Sequence, residues 1–275
     1  MNILITGVSS GFGRAIAVEA MARGHTVIGT VRSGEAREQF AALDGQRARA
    51  RILDVTQFDE IPAAVADIES SVGPVDALIN NAGYGHEGIL EESSIDEMRR
   101  QFDVNVFGAV AMIKAVLPYM RQRRRGRIVN ITSMGGFITM PGIAYYCGSK
   151  FALEGISEVL GKEVRAFGIA VTAVAPGSFR TDWAGRSMVR SPRSIPEYDA
   201  LFEPIRARRR QNSGRQLGDP ERAARAIVSL IELDDPPPQL LLGSDALALV
   251  REKLRAMEMR ISEWEALSLS TDAPL

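Results

Sequence analysis

The sequence predicts a seven-stranded, doubly wound parallel sheet flanked by helices, and three observations predict it. Seven short aliphatic runs alternate with stretches of helical periodicity along the chain, as strand–helix–strand crossovers require. The first run, Asn2 to Thr6, passes through a glycine turn, TGVSSGFG, straight into a helical segment. The glycine turn, Asn80-Asn81-Ala82-Gly83, Ser133 and Pro176-Gly177 all fall at the carboxyl ends of strands, where such sheets bind ligands.

The helix after the glycine turn carries Ile16, Ala17, Ala20 and Met21 at helical spacing and stops at Gly24. Glycines permit a tight turn and close approach of the backbone to a pyrophosphate. The helix N-terminus behind them offers free N–H groups and positive dipole. His25 to Val31 reads as the second strand. An acidic residue near such a strand end holds the adenine-ribose 2′-hydroxyl, but Val31 stands there and Arg32 follows. With no carboxylate to repel a 2′-phosphate and a guanidinium to pair with it, NADP is expected over NAD.

Ala48 to Leu53, ending in Asp54-Val55, is the third strand; a helix covers about Asp59 to Val72, and Asp76 to Asn80 is the fourth strand. His86, in the loop beyond, is expected to be exposed. One long helix is expected from Ile95 to about Arg123, with Asn105 among apolar neighbours and satisfied by backbone or water. The basic run Arg121 to Arg127 falls at its C-terminal end, where the helix dipole favours cations. Arg127 to Ile131 is the fifth strand, leading to Ser133, and the next helix carries Tyr146, Cys147 and Lys150. Ile169 to Ala175 is the sixth strand, with Thr181 beyond Pro176-Gly177.

Gly185 to Gly218 is polar, proline-bearing and weakly periodic, so residues 179–218 are expected to form a substrate lid. Asp219-Pro220 opens a helix through Leu233, and Gln239 to Gly243 is the seventh strand. In the tail, 244–275, Leu247, Val250, Leu254, Met257, Ile261 and Trp264 step by three and four. That apolar stripe must be buried, on the chain's own core or, alternatively, against another subunit. With no interdomain linker, residues 1–275 are expected to form a single domain.

Composition bounds the function. At 45% hydrophobic and 24% charged the chain can build a large core, and its net charge of −1 argues against a nucleic-acid partner held by bulk electrostatics. The single cysteine excludes an internal disulfide and fits a reducing compartment. No secretory signal and no run of about 18 apolar residues stands out. A cytoplasmic protein with no membrane span is expected.

Tyr146 and Lys150, four apart, share one helix face. An ammonium beside a phenol favours the phenolate and is expected to lower the tyrosine pKa from about 10. The phenol then becomes a usable proton donor and acceptor, with Ser133 placed to hold a substrate oxygen. Cys147, with no histidine to activate it, reads as a packing residue.

Together these residues resemble the short-chain dehydrogenase/reductase family, in its single-domain, NADP-preferring branch with a Rossmann-type fold. Thr6, Gly7, Gly11 and Gly13 match its TGxxxGxG, Asn80 to Gly83 its NNAG, Tyr146 with Lys150 its YxxxK, and Pro176-Gly177 its PG; Ser133 stands thirteen positions before the tyrosine. The resemblance implies that Tyr146 exchanges a proton with the substrate oxygen, that Lys150 lowers its pKa and holds the nicotinamide ribose, and that Ser133 binds the oxygen. It implies that Asn105 supports a water-linked proton relay. It gives Thr6, Gly7, Ser9, Ser10, Gly11, Phe12 and Gly13, with Arg32, Asp54, Val55, Asn81, Ala82, Gly83, Pro176, Gly177 and Thr181, to the cofactor. It also implies a homodimer or homotetramer, and no metal. The expected activity is NADPH-dependent hydride transfer to a ketone or aldehyde, or the reverse from a secondary alcohol. Two rivals are an NAD-dependent alcohol dehydrogenase and a dinucleotide-binding regulator without turnover.

Overall fold

The structure, a computed structural model, describes residues 1–273 apart from Asp182, Ala184 and Arg186. The parts of the expected lid and tail at 182, 184, 186, 274 and 275 lie outside the described residues. Strand β1 (Asn2–Ile5) lies inside the sheet, between β2 (Thr26–Val31) and the central strand β4 (Ala77–Asn80). Outward on one side comes β3 (Ala48–Ile52); outward on the other come β6 (Gly126–Ile131), β7 (Ile169–Pro176) and β9 (Gln239–Leu242), all parallel. The winding direction reverses between β1 and β4, which opens a crevice at their carboxyl ends. Ile3, Leu4, Ile5, Ala77, Leu78 and Ile79 are fully buried. Such strands have helices on both faces and therefore read as continuous apolar runs rather than alternating ones.

Helices α1 (Gly11–Ala22) and α8 (Pro220–Glu232) cover one face, packing Ile16, Ala17 and Ala20 with Ala224, Ile227 and Val228. The other face takes α3 (Ile61–Ser71), α5 (Ala109–Arg123) and α6 (Ala144–Val164), which pack Ile61, Val65 and Ile68 with Met112, Val116, Met120 and Leu160. The Asp219 carboxylate accepts from the N–H groups of Glu221 and Arg222 and so caps α8.

The structure departs from the sequence reading in five places. A further helix, α2 (Gly34–Ala41), follows Arg32; only Phe40 of it is buried, so it left little periodicity. The expected long helix is α4 (Ile95–Phe102), a π turn at Asp103–Gly108, and α5. This continuous run of 29 residues is, by length and composition, apolar enough to cross a membrane, contrary to the expectation of no such segment. Met112, Ile113, Val116 and Met120 supply that hydropathy and pack in the core. His86 is buried rather than exposed, its Nε2 3.0 Å from the Ser191 hydroxyl. It lies on β5 (Gly85–Glu87), which pairs with β8 (Met188–Arg190) to bring the lid against the body.

The fifth departure is the tail. Helix α9 (Ser244–Leu269) buries Ala246 and Val250 against Met134 and Ile138, but Leu247, Leu254, Met257, Ile261 and Trp264 remain exposed. Packing on the chain's own core therefore accounts only for the start of the stripe.

The lid contains a helix of its own, α7 (Asp199–Gln211). Its Phe202 is 1% exposed and lies against Gly142, whose φ of +78° and lack of a Cβ make room for the ring. The buried Glu87 carboxylate accepts from Arg190, Arg206 and Arg209, two of them on α7. Deleting the Phe202 ring removes about 3 kcal/mol or more of docking. Phe202→Ala should accelerate tryptic cleavage at Arg208–Arg210 at least tenfold, while the unfolding temperature of the sheet changes little.

Candidate active site

The site forms where the loops after β1, β4, β6 and β7 meet over the crevice. Gly7 and Gly11 take φ of +71° and +56°, which glycine adopts without strain. The Thr6 hydroxyl is buried and accepts the N–H groups of Asn81 and Ala82 at 3.0 and 2.9 Å. The Asn81 amide donates to the carbonyls of Thr6 and Gly7, both at 3.0 Å. Thr6 and Asn81 thus tie the glycine turn to the NNAG turn. A Cβ on Gly13 would lie 2.2 Å from the Gly7 carbonyl oxygen and 2.4 Å from Asn81 Nδ2, so the turn closes only on glycine.

Ser10 precedes α1 and makes no side-chain cap, Ser9 is exposed, and the Phe12 ring packs 5.1 Å from Phe179. Gly11 faces Thr181, whose Cβ would be 3.9 Å from a Cβ built there. Between them runs a groove of about 370 Å³ lined by Gly11, Arg180, Thr181, Ser213, Gly214 and Pro220. Free N–H groups at the start of α1 and a groove walled by small residues suit a pyrophosphate. Arg32 is exposed at the end of β2. The Asp54 carboxylate accepts from the N–H and hydroxyl of Thr56 and fixes the turn after β3; Val55 is buried. These residues fit a nicotinamide dinucleotide laid across the crevice.

Ser133, Tyr146 and Lys150 come together on the far side, each less than 10% exposed. A Cβ on Gly135 would be 3.4 Å from both Ser133 Oγ and the Tyr146 ring, so the two hydroxyl-bearing side chains converge there. Lys150 Nζ donates to the Ile131 carbonyl at 2.8 Å and lies 5.8 Å from the Tyr146 ring centroid. Burial pushes the Tyr146 phenol up to about 12, against a lowering hydrogen bond from Ser133. The same burial pulls Lys150 down to about 8, opposed by the Glu154 carboxylate. The shift of the tyrosine therefore runs opposite to the expected lowering: desolvation dominates, and the groups that oppose it are Ser133 and Trp183 rather than Lys150.

Asn105 is fully engaged. Its carbonyl oxygen accepts from Tyr84 N–H at 3.1 Å, and its amide donates to the Tyr84 carbonyl and the Ser149 hydroxyl. The side chain thus joins the loop after NNAG to α6, and it sits within the π turn Asp103–Gly108, where backbone carbonyls leave the α-helical ladder. Pro176 ends β7, and the Gly177 N–H donates to Leu242. The Cys147 thiol is buried and pushed up by burial, a packing residue as expected.

Three residues escaped the sequence reading. Trp183 stacks 5.0 Å from Tyr146 at 58° and roofs it; an aromatic two positions past Thr181 in a polar stretch was its only signal. Glu154 is buried one turn beyond Lys150, accepting from Thr132 and Gln239, and its burial raises its pKa. That i+4 position on the buried helix face was legible. Asp245 left no signal: its carboxylate accepts the Ser178 N–H at 2.7 Å, and a Cβ on Gly177 would meet it. Among the described residues no cluster of His, Cys, Asp and Glu could hold a metal ion.

Replacing Thr6 by the isosteric valine leaves two loop N–H groups without their acceptor. Thr6→Val should cost about 2 kcal/mol or more, read as a lower urea midpoint at unchanged slope.

Comparison with known proteins agrees with this geometry. The family model for short chain dehydrogenase matches residues 1–189. A crystal structure of a short-chain dehydrogenase from Streptomyces avermitilis superposes with a TM-score of 0.91 at 41% identity, covering 98% of this chain and 99% of that one. A 3-ketodihydrosphingosine reductase from Bacteroides thetaiotaomicron is 38% identical over 243 residues, 88% of this chain and 87% of its own. An NADPH-dependent 3-dehydrocapnine reductase from Ornithobacterium rhinotracheale is 31% identical over 206 residues, covering 72% and 73% of the two chains. With its seven-stranded Rossmann-like sheet and glycine turn, this chain belongs to the short-chain dehydrogenase/reductase family of oxidoreductases.

Proposed function

We propose that the protein is an NADPH-dependent reductase of ketones, with Tyr146 as the proton donor. One observation carries the reading: Ser133 and Tyr146 converge at Gly135 beside a buried lysine. The bound nicotinamide supplies the hydride. Ser133 orients the carbonyl oxygen, and Tyr146 gives that oxygen a proton as the alcohol forms. Lys150, charged below about pH 8, holds the ribose hydroxyls and supports reprotonation of the phenolate through water at the π turn.

The protonation state favours reduction. A phenol pushed up to about 12 carries its proton throughout the neutral range, which is the form carbonyl reduction needs, whereas alcohol oxidation needs the phenolate. Ile143, Cys147, Met140 and Trp183 pack around Tyr146 and make an apolar wall, suited to a ketone with a hydrocarbon body. Two relatives described above are named a 3-ketodihydrosphingosine reductase and an NADPH-dependent 3-dehydrocapnine reductase, which supports reduction and NADPH. The cell interior, with its reduced cysteine and NADPH pool, is the compartment we assign.

A screen of ketones and aldehydes following NADPH absorbance tests the proposal. Tyr146→Phe should lose about 10²–10⁴-fold in kcat while NADPH affinity is kept; equal turnover by wild type and variant would overturn it. With the wild-type enzyme, reduction should be flat below about pH 8 and fall as Lys150 loses its charge. Oxidation should climb by up to about tenfold per unit as the phenolate fraction rises.

Arg32 at the end of β2 is the cofactor-selecting residue in this reading. A hydrogen bond to a charged group contributes about 1.5–3 kcal/mol, so Arg32→Ala should weaken NADPH binding by about tenfold or more and leave NADH binding unchanged. Fluorescence titration of both cofactors measures this, and an unaltered NADPH preference would favour the NAD-dependent rival.

A further inference from the structure

Beyond Val250, α9 leaves the body of the protein and extends about 28 Å into solvent. Leu254, Met257, Ile261 and Trp264 along it are 52–58% exposed. A solitary helix of this length is marginal in water and persists by packing its apolar face. Here that face has a definite period. Leu247, Val250, Leu254, Met257, Ile261 and Trp264 step by three and four in strict alternation, a repeat of 3.5 residues. That is the period of a coiled-coil seam, and no charged residue falls on it.

The flanking charges identify the occupant. With Leu254 and Ile261 at the first seam position of each heptad, Lys253 and Arg260 lie on one flank, and Glu258 and Glu265 on the other. In a parallel pair of identical helices, each flank residue meets the one five positions later on its partner. Lys253 then faces Glu258 and Arg260 faces Glu265 of the other copy, and two-fold symmetry makes each contact twice. An antiparallel pair sets like flank against like, placing Lys253 by Arg260 and Glu258 by its own equivalent. The charges of the helix are mixed in sign around its circumference, without the basic face that an anionic lipid surface demands.

We propose that a second copy of this chain covers the stripe, the two C-terminal helices pairing in parallel from Leu254 to Trp264. Lys253–Glu258 and Arg260–Glu265 contacts between copies fix the register. The seam begins where α9 leaves Met134 and Ile138, so the paired helices are continuous with the loop that carries Ser133.

Sedimentation velocity on the full chain tests this. The double variant Lys253→Glu/Arg260→Glu places only acids on both flanks and should halve the mass of the assembly. Adding Glu258→Lys and Glu265→Lys to the same chain restores complementarity and should restore the mass, which also shows that the first variant folds. Leu254→Cys should give a disulfide-linked dimer on mild oxidation, since equivalent seam positions meet only in the parallel arrangement; Cys147 is buried and does not compete. An unchanged mass in the double variant, or no cross-link through Cys at 254, would overturn the proposal. So would a wild-type chain that sediments singly and binds vesicles of phosphatidylserine and phosphatidylcholine through this helix.

Discussion

The site depends first on the hydrogen bonds that join the glycine turn to the NNAG turn. The two loops leave neighbouring strands, β1 and β4, whose connections run to opposite sides of the sheet. Backbone pairing of β1 with β4 brings the loops side by side as far as the Thr6 N–H, which donates to the Ile79 carbonyl at 3.0 Å; beyond it side chains take over. The Thr6 hydroxyl and the Asn81 amide do so with four bonds of 2.9–3.0 Å. A buried amide left unpaired costs about 1–3 kcal/mol, so each of these bonds opposes separation of the two turns. The close contact of Gly13 with Gly7 and Asn81 follows from it. The N-terminus of α1 is thereby aimed into the crevice rather than along the sheet.

From that junction a second set of contacts reaches α6, the helix that carries Tyr146 and Lys150. Gly83 lies against the Asn105 carbonyl oxygen, and Asn105 holds Tyr84 on one side and Ser149 on the other. Ser149 sits between Tyr146 and Lys150 on α6 and donates back to the Tyr146 carbonyl at 2.7 Å. The NNAG turn and the helix that carries Tyr146 and Lys150 are therefore coupled through one buried asparagine. The π turn lets that asparagine point inward from a helix otherwise packed by Met112, Val116 and Met120. An unbroken α-helix would carry the side chain about the same axis at a different phase.

Much of this was legible because the sheet interior leaves no choice of residue. β1, β4, β6 and β7 are buried on both faces and read as aliphatic runs, and the glycines, Asn81, Tyr146 and Lys150 sit at spacings that sterics impose. Other elements were hidden for a common reason. Helix α2 buries only Phe40, and α7 buries only Phe202, so neither shows an apolar face to count. β5 and β8 are three residues each, and His86 and Glu87 are buried there among polar partners, His86 by Ser191 and Glu87 by arginines. Polar residues buried by mutual pairing look like a solvated loop in sequence. The tyrosine pKa failed differently: the neighbouring lysine was read correctly, but burial of both groups is a property of the packed site and has no local signature.

Burial raises the question of how an ammonium stays charged there at all. Lys150 is held by the Ile131 carbonyl at the end of β6 and by the field of Glu154 one turn on. Glu154 is itself pushed up by burial, against hydrogen bonds from Thr132 and Gln239 that favour its carboxylate. Gln239 belongs to β9, the edge strand that leads into α9, and Asp245 at the start of α9 accepts the Ser178 N–H and lies close against Gly177. The C-terminal segment thus reaches the surroundings of Lys150 through Glu154, and the loop after β7 through Asp245. β9 supplies the first contact through Gln239 and α9 the second through Asp245, so the last strand and helix are built into the walls of the crevice rather than appended to it.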